Sequence, residues 1–287
     1  MAGSLLDRRF FAELATEHRA WLSAFDPQHL ANWASKLNGR DEESALAEAG
    51  VRRLLQSHGA RVEPNESLTG AEKRPDFHCE ANGDNFEVEV THISIEKATE
   101  MTGLAENPTI NLGDPAINLT EAAVSTNGIT INRKVFWACV GKAGQCAGAR
   151  YPALLAVSTF HYGAAVFCID KHEVAELLTG VTHIRLNAGK QPGERPQWEV
   201  TELVHAAFLK PDSSQGAAFA RTSISALLLC SPTCGFGVRR PLAIGVLHPS
   251  PARPFNPTLL PQIEFGKVEI DWASRRLRVV WPDGRGG

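Results

Sequence analysis

The segment RPDFHCEANGDNFEVEVTHIS, residues 74–94, decides the fold of this chain. Its turn-forming ANGD separates two apolar stretches, which predicts a hairpin of two strands. Read with a period of two, Glu87, Glu89 and Thr91 point to one face of the second strand. The alternating apolar residues point to the other face: Phe86, Val88 and Val90. Folding gives a reason to bury the apolar face, but none to place two carboxylates side by side on the opposite one.

Neighbouring carboxylates of this kind need compensation. Like charges about 4 Å apart repel by about 4 kcal/mol at an effective dielectric constant near 20. A proton or a bound cation usually compensates such a cluster. Asp76 follows Pro75 at the start of this segment, before the acidic strand. The pattern therefore indicates a metal site.

Length and composition indicate a globular protein. The 287 residues, 43% of them hydrophobic, can bury a core as one decorated domain or two small ones. A net charge of -3 argues against attraction of nucleic acid to the whole surface, although local basic patches stay open. The chain has no apolar run of the roughly 20 residues that a membrane span needs, and its N-terminus lacks the pattern of a secretion signal. We therefore expect a cytoplasmic location and no membrane partner, with the cysteines as buried thiols rather than disulfides.

The chain divides into three parts by pattern. Residues 1–40 are expected to form an N-terminal helical attachment, and residues 41–250 the core. Residues 94–130, with weak periodicity, form an insertion within that core. Residues 251–287 are expected to form a C-terminal extension with a β-hairpin.

Within the core, the order of elements is the main signal. A helix over 42–57 precedes three short strands, GARVE, RPDFHCE and NFEVEVTHIS, which predict a meander. A helix over 131–146 and a buried strand beginning at Ala153 follow, which implies a crossover connection. Further on, a helix is predicted around 202–209, and ISALLLC is predicted as a buried strand.

This order resembles the PD-(D/E)XK nuclease superfamily. The resemblance covers about residues 41–160, with an acid on the first helix, Pro-Asp on the second strand and an acidic third strand. Glu48, chosen over Glu43, stands in the place of the helical acid, because apolar residues and a helix-ending glycine follow it at the matching spacing: Val51, Leu54, Leu55 and Gly59. The resemblance implies an α/β protein with a restriction-endonuclease-like core, αβββαβ, in which helices flank a mixed central sheet.

The resemblance also implies a metal-dependent nuclease. Asp76 and Glu89 would ligate Mg²⁺ or Mn²⁺, supported by Glu48, and the substrate would be DNA rather than RNA, cut by a possible homodimer. Thr91 then stands in the position where the superfamily has lysine. In the alternative register, Glu87 is the ligand and Glu89 occupies the lysine position; the first register is favoured because Glu-Val-Thr then lies at the strand centre.

Because threonine cannot carry a positive charge, a lysine from elsewhere is expected to supply it. Lys142, in the pattern KAGQ with Gln145, resembles the polar helix of this superfamily. Lys134 and Lys73 are alternative donors, and the sequence does not choose among the three. Helical geometry predicts one stripe that holds Lys134 and Gln145, with Lys142 about 80° away from it.

Other interpretations of these residues stay open. His78 shares the strand face of Asp76, so it either touches substrate or metal or is a hydrogen-bonded structural histidine. Glu87 is expected on the exposed half of its strand. As an alternative to the nuclease, the protein is a catalytically degenerate relative that binds nucleic acid or protein without cleavage, which Thr91 favours.

Overall fold

The computed structural model describes residues 5–67, 73–103, 121–187, 197–214, 216–232, 242–271 and 276–282. The helices of these residues are α1 Arg9–Leu22, α2 Pro27–Leu37, α3 Glu42–Ser57, α4 Ile95–Thr102, α5 Glu121–Ala147, α6 Tyr162–Ile169 and α7 Lys171–Thr179. The strands are β1 Arg61–Pro64, β2 Phe77–Ala81, β3 Asp84–Ile93, β4 Ala153–Thr159, β5 Val181–Asn187, β6 Gln197–Val204, β7 Leu209–Asp212, β8 Gly216–Phe219, β9 Ala226–Ser231, β10 Leu242–Leu247, β11 Glu264–Asp271 and β12 Arg276–Val280.

A mixed eight-stranded sheet forms the centre of the molecule, in the order β1-β2-β3-β4-β9-β10-β11-β12. The predicted meander is confirmed, because β1, β2 and β3 pair antiparallel. Strand β4 runs parallel to β3, and β9 runs parallel to β4. The helical crossover expected before β4 is confirmed as α5, so the protein is α/β with helices flanking a mixed sheet.

The two faces of the sheet bury separate apolar clusters. One cluster joins helices α1, α2 and α3 to the face of β3 that carries Phe86 and Val88, both fully buried. The other joins α4, α5 and α7 to the opposite face of the sheet, which includes Leu155. Because α5 covers that second face, the expected exposure of Glu87 is wrong: its exposed fraction is 5%.

The N-terminal helices pack as part of the first cluster. Trp33 of α2 is 3% exposed, and its indole Nε1 donates to the carbonyl oxygen of Ala45 in α3 at 2.9 Å. Such a bond fixes the position of α2 on α3, because the indole has no other donor. Residues Pro27–Leu37 are therefore held firmly against the helix that carries Glu48.

The sheet also continues across residue 250. Strand β11 pairs parallel with β10, and β12 pairs antiparallel with β11, as expected for the C-terminal strand pair. These strands extend the sheet that begins with β1. The C-terminal extension therefore shares the central sheet of the core.

Two expectations for local structure need correction. The predicted helix around 202–209 is wrong: β6 and β7 occupy this stretch, because β6 pairs with β5 and β7 with β8. Cross-strand pairing here outweighs helix propensity. The insertion 94–130 contains α4 and the start of α5, while 104–120 lies outside the described residues.

The predicted stripe of α5 that holds Lys134 and Gln145 is not the buried side of the helix. Lys134 and Gly141 are exposed, and the buried side of the helix consists of Ile131, Val135, Cys139 and Cys146. Lys142 falls between Cys139 and Cys146 at three- and four-residue steps, so helical geometry places it on that buried, sheet-facing side. Among the described cysteines, Cys79, Cys139, Cys146 and Cys230 are free and buried, as expected. No helix in the described part of the chain is long and apolar enough to cross a membrane.

Candidate metal centre

Asp76 lies where β2 and β3 begin to pair. The last paired residues on that side are Phe77 and Val88, and the backbone N–H of Val90 donates to Asp76 Oδ2 at 2.6 Å. The carboxylate of Asp76 thus replaces the backbone acceptor that a continued strand ladder would have offered to this N–H group. Burial raises the pKa of Asp76 well above its ordinary value, and the charges of Glu89 and then Glu48 raise it further.

Glu89 is fully buried at the centre of β3. Its Oε1 accepts from Lys142 Nζ at 2.7 Å, whereas its Oε2 has no hydrogen-bond partner among the described residues. Burial raises the pKa of Glu89, against the lowering effect of Lys142. A buried carboxylate oxygen without a partner costs about 1–3 kcal/mol, so this atom calls for a ligand.

Two more carboxylates, from α3 and from the loop after β1, share an ammonium group. Lys36 Nζ of α2 lies 3.0 Å from Glu48 Oε1 and 2.8 Å from Glu66 Oε1. Burial raises the pKa of Glu48 to about 7, although Lys36 opposes this effect. Burial would lower the pKa of Lys36, but Glu48 and Glu66 raise it above its ordinary value, so the lysine stays charged.

These carboxylates converge. Glu48, Glu66 and Asp76 each offer a carboxylate oxygen within 4.8 Å of the other two. At that distance two ionised groups repel by about 3 kcal/mol at an effective dielectric constant near 20. Glu89 adjoins this group of three, because Asp76 accepts from the N–H of Val90, the next residue along β3, and the charge of Glu89 raises the pKa of Asp76.

The charge balance of this cluster suits one divalent cation. With every group ionised, the four carboxylates carry two charges more than the ammonium groups of Lys36 and Lys142. Carboxylate oxygens are the ligands that Mg²⁺ and Mn²⁺ prefer. The donor set, the excess negative charge and the unpartnered oxygen of Glu89 therefore fit such an ion.

A crevice gives access to one side of the cluster. It is lined by Asp76, Glu66 and Glu48 together with residues of α1, α2 and the strands: His18, Leu22, His29, Trp33, Pro64 and Phe77. The first two helices therefore form one wall of the candidate site.

Glu87 has a different environment from Glu89, although both lie on the same strand face. Its Oε2 accepts from the backbone N–H of Arg150 at 2.9 Å, in the connection between α5 and β4. His78 lies opposite Glu87 in the strand register, with its ring centroid 5.3 Å from that of Tyr151. The carboxylate of Glu87 is thus hydrogen-bonded to the backbone. In the strand register, His78 is the cross-strand neighbour of Glu87 rather than of Asp76.

The remaining predicted residues surround the cluster at different distances. Thr91 follows Glu89 by two residues on the same face, opposite Val157, and is partly exposed. Gln145 is partly exposed one turn after Lys142, and Lys73 is exposed before Pro75. Lys134 is exposed and precedes Lys142 by eight residues, about 12 Å along the helix axis.

Of the three candidate lysines, Lys142 is the one whose ammonium group the structure places against a carboxylate, that of Glu89. The cluster also contains Lys36 and Glu66, which the sequence pattern did not predict as site residues. Lys36 reads as an ordinary lysine in the last turn of a helix, and Glu66 as part of a turn-forming loop. The one available signal was their proximity in sequence to Glu48 and Asp76.

Comparisons of this chain with protein-family models, with curated proteins and with solved structures found no match.

Proposed function

We propose that this protein is a metal-dependent phosphodiesterase, a nuclease of the PD-(D/E)XK type that cuts DNA in preference to RNA. The observation that carries the proposal is the buried Oε2 of Glu89, which has no hydrogen-bond partner in the described part of the chain, on the strand to which Asp76 is bonded. The order α3, β1–β3, α5, β4 and the positions of Glu48, Asp76 and Glu89 along it support the superfamily resemblance.

In this proposal Asp76 and Glu89 hold Mg²⁺ or Mn²⁺, with Glu48 as the supporting acid. When bound, such an ion lowers the pKa of a coordinated water and offsets the charge that develops on a phosphodiester. The raised pKa of Asp76 means that its proton leaves when the ion binds.

Lys142 takes over the charge that Thr91 cannot carry. Its ammonium group lies 2.7 Å from Glu89 Oε1, so it orients that carboxylate and leaves Oε2 for the ion. Glu89 in turn raises the pKa of Lys142, although burial lowers it, so the group stays a cation. A positive charge at this point also favours an anionic phosphate.

A cleavage assay tests the proposal. The full chain is incubated with linear duplex, single-stranded DNA or RNA, with Mg²⁺, Mn²⁺ or EDTA. We expect cleavage that needs the ion and that falls more than about 100-fold in Asp76→Ala and Glu89→Gln. Glu80→Gln, an exposed acid on β2, is the control that retains activity.

Glu87→Gln distinguishes the two registers in the same assay. If Glu89 is the ligand, Glu87→Gln retains cleavage; if Glu87 is the ligand, its loss abolishes it. Cleavage that persists in EDTA, or in both Asp76→Ala and Glu89→Gln, would refute the metal-dependent mechanism.

Nucleic-acid binding without cleavage is a second candidate function. The position of Thr91, uncharged on the strand face of Glu89, favours it. Binding of labelled DNA by wild type, with no cleavage at any Mg²⁺ or Mn²⁺ concentration, would support this function over the nuclease.

A further inference from the structure

Lys36 belongs to none of the elements in the αβββαβ order, yet it lies inside the acidic cluster. The Trp33 bond to Ala45 fixes α2 against α3, and Lys36 follows Trp33 by three residues. One helical turn therefore brings its ammonium group to Glu48. The group also reaches Glu66, so it bridges two parts of the chain.

The contacts of Lys36 coincide with a possible ion position. Glu48, Glu66 and Asp76 have the mutual spacing of ligands around one cation. Two of these three carboxylates already bond the ammonium group, at 3.0 and 2.8 Å. Asp76, by contrast, accepts from the N–H of Val90, the residue next to Glu89, whose fully buried Oε2 has no partner among the described residues.

We infer that Lys36 occupies the position of a second cation, so that the site accepts one divalent metal ion rather than two. The ion binds at Asp76 and Glu89, and the ammonium group of Lys36 remains at Glu48 and Glu66. The charge balance agrees, because one divalent ion neutralises the excess of the four carboxylates over the two lysines. This inference rests on the proposed metal-dependent function.

Counting bound Mn²⁺ tests the inference independently of cleavage. Electron paramagnetic resonance of free Mn²⁺ gives the number of ions bound per full chain. We expect one ion for wild type and for Lys36→Arg, and two ions for Lys36→Met. Lys171→Met is the matched control, because Lys171 has the same 31% side-chain exposure and an ion pair of 2.7 Å with Glu264.

The outcomes separate the inference from the proposed function. Two ions on wild type, or a single ion on both wild type and Lys36→Met, would overturn the inference alone. Should wild type bind none and Lys36→Met one, the inference of one bound ion would be overturned together with the proposed function. No Mn²⁺ on either protein would overturn both. Lys36→Gln, with circular dichroism of each variant, guards against a folding defect of the methionine variant.

Discussion

Replacement of Glu48 by glutamine should stabilise the metal-free protein increasingly as the pH rises from about 4.5 to about 7, and fully above that. Burial raises the pKa of Glu48 from 4.5 to about 7. A carboxyl with a raised pKa in the folded state contributes stability that is fully present below its unfolded pKa and is lost as the pH rises through about 7. Glutamine resembles the protonated carboxyl in size and cannot ionise, so the variant does not lose this contribution.

The size of the effect follows from the two pKa values of Glu48. The difference between about 7 and 4.5 corresponds to about 3 kcal/mol, at about 1.4 kcal/mol for each pKa unit. The attraction of Lys36 is already contained in this value, and Lys36 keeps Glu66 as its partner in the variant. For a protein of this length, about 3 kcal/mol corresponds to a rise of about 6 °C in Tm.

The assay is thermal unfolding in EDTA at about pH 5 and about pH 8, followed by circular dichroism, with urea denaturation for the free energy. We expect Glu48→Gln to raise Tm at the higher pH and to leave it nearly unchanged at the lower one. Glu80→Gln makes the same chemical change at an exposed position and serves as the control. A lower Tm at about pH 8, or an equal rise at both pH values, would refute the argument from burial.

Addition of Mn²⁺ should narrow the difference in stability between the same two proteins. An ion at 100 times its Kd stabilises the folded state by about 2.7 kcal/mol. Wild type should gain this amount, whereas Glu48→Gln should gain less because it lacks one acid of the cluster. A carboxylate that destabilises the free protein and strengthens ion binding is expected of a functional site. If Mn²⁺ raised the free energy of unfolding equally in both proteins, Glu48 would not contribute to binding of the ion.

Three further outcomes are expected. Lys142→Met leaves Glu89 buried without its ammonium partner, so urea denaturation should show a loss of about 3 kcal/mol that Lys142→Arg partly restores; an unchanged midpoint would contradict this. Mn²⁺ binding at about pH 6 should release protons, because burial raises the pKa of Asp76 in the free protein and the ion binds the ionised carboxylate; identical calorimetric heats in buffers of different ionisation enthalpy would disprove it. Trp33→Phe removes the donor to Ala45 and should lower the free energy of unfolding by about 1 kcal/mol; no change would mean that α2 docks without this bond.

The strand that carries the acids was predictable because its signal is local. Alternation along β3 specifies two faces, and Phe86 and Val88 do lie in the apolar cluster under α3. What lies over the opposite face depends on α5, which is distant in sequence. Alternation alone therefore suggested an exposed Glu87, whereas packing of α5 buries it.

The lysine that pairs with Glu89 was predictable only as one of three candidates. Lys142 can be distinguished from Lys134 as the partner of Glu89 once the buried side of α5 is known, because Cys139 and Cys146 lie on that side. Cysteine and alanine are small and weakly patterned, so the helix shows little contrast between its faces in sequence. The apolar contacts with the sheet, rather than the sequence pattern, determine which lysine turns inward.

Lys36 and Glu66 could not be selected because their role depends on docking. Nothing in the last turn of α2 distinguishes Lys36 from a solvent-exposed lysine, and Glu66 follows a short strand in a polar loop. Their meeting requires α2 to lie on α3 and β1 to pair with β2. Contacts between elements distant in sequence are the part of a site that local pattern does not encode.

The contrast between Glu87 and Glu89 separates a structural acid from a candidate ligand. Both are buried on one face of one strand, so burial and strand position cannot account for any difference between them. Burial raises the pKa of Glu87, and the backbone N–H of Arg150, which donates to its Oε2 at 2.9 Å, opposes this effect and ties β3 to the connection between α5 and β4. Glu89 has a lysine on one oxygen and nothing described on the other. Because folding alone would favour a partner for every buried carboxylate oxygen, the unsatisfied oxygen of Glu89 is best explained by a ligand that arrives after folding.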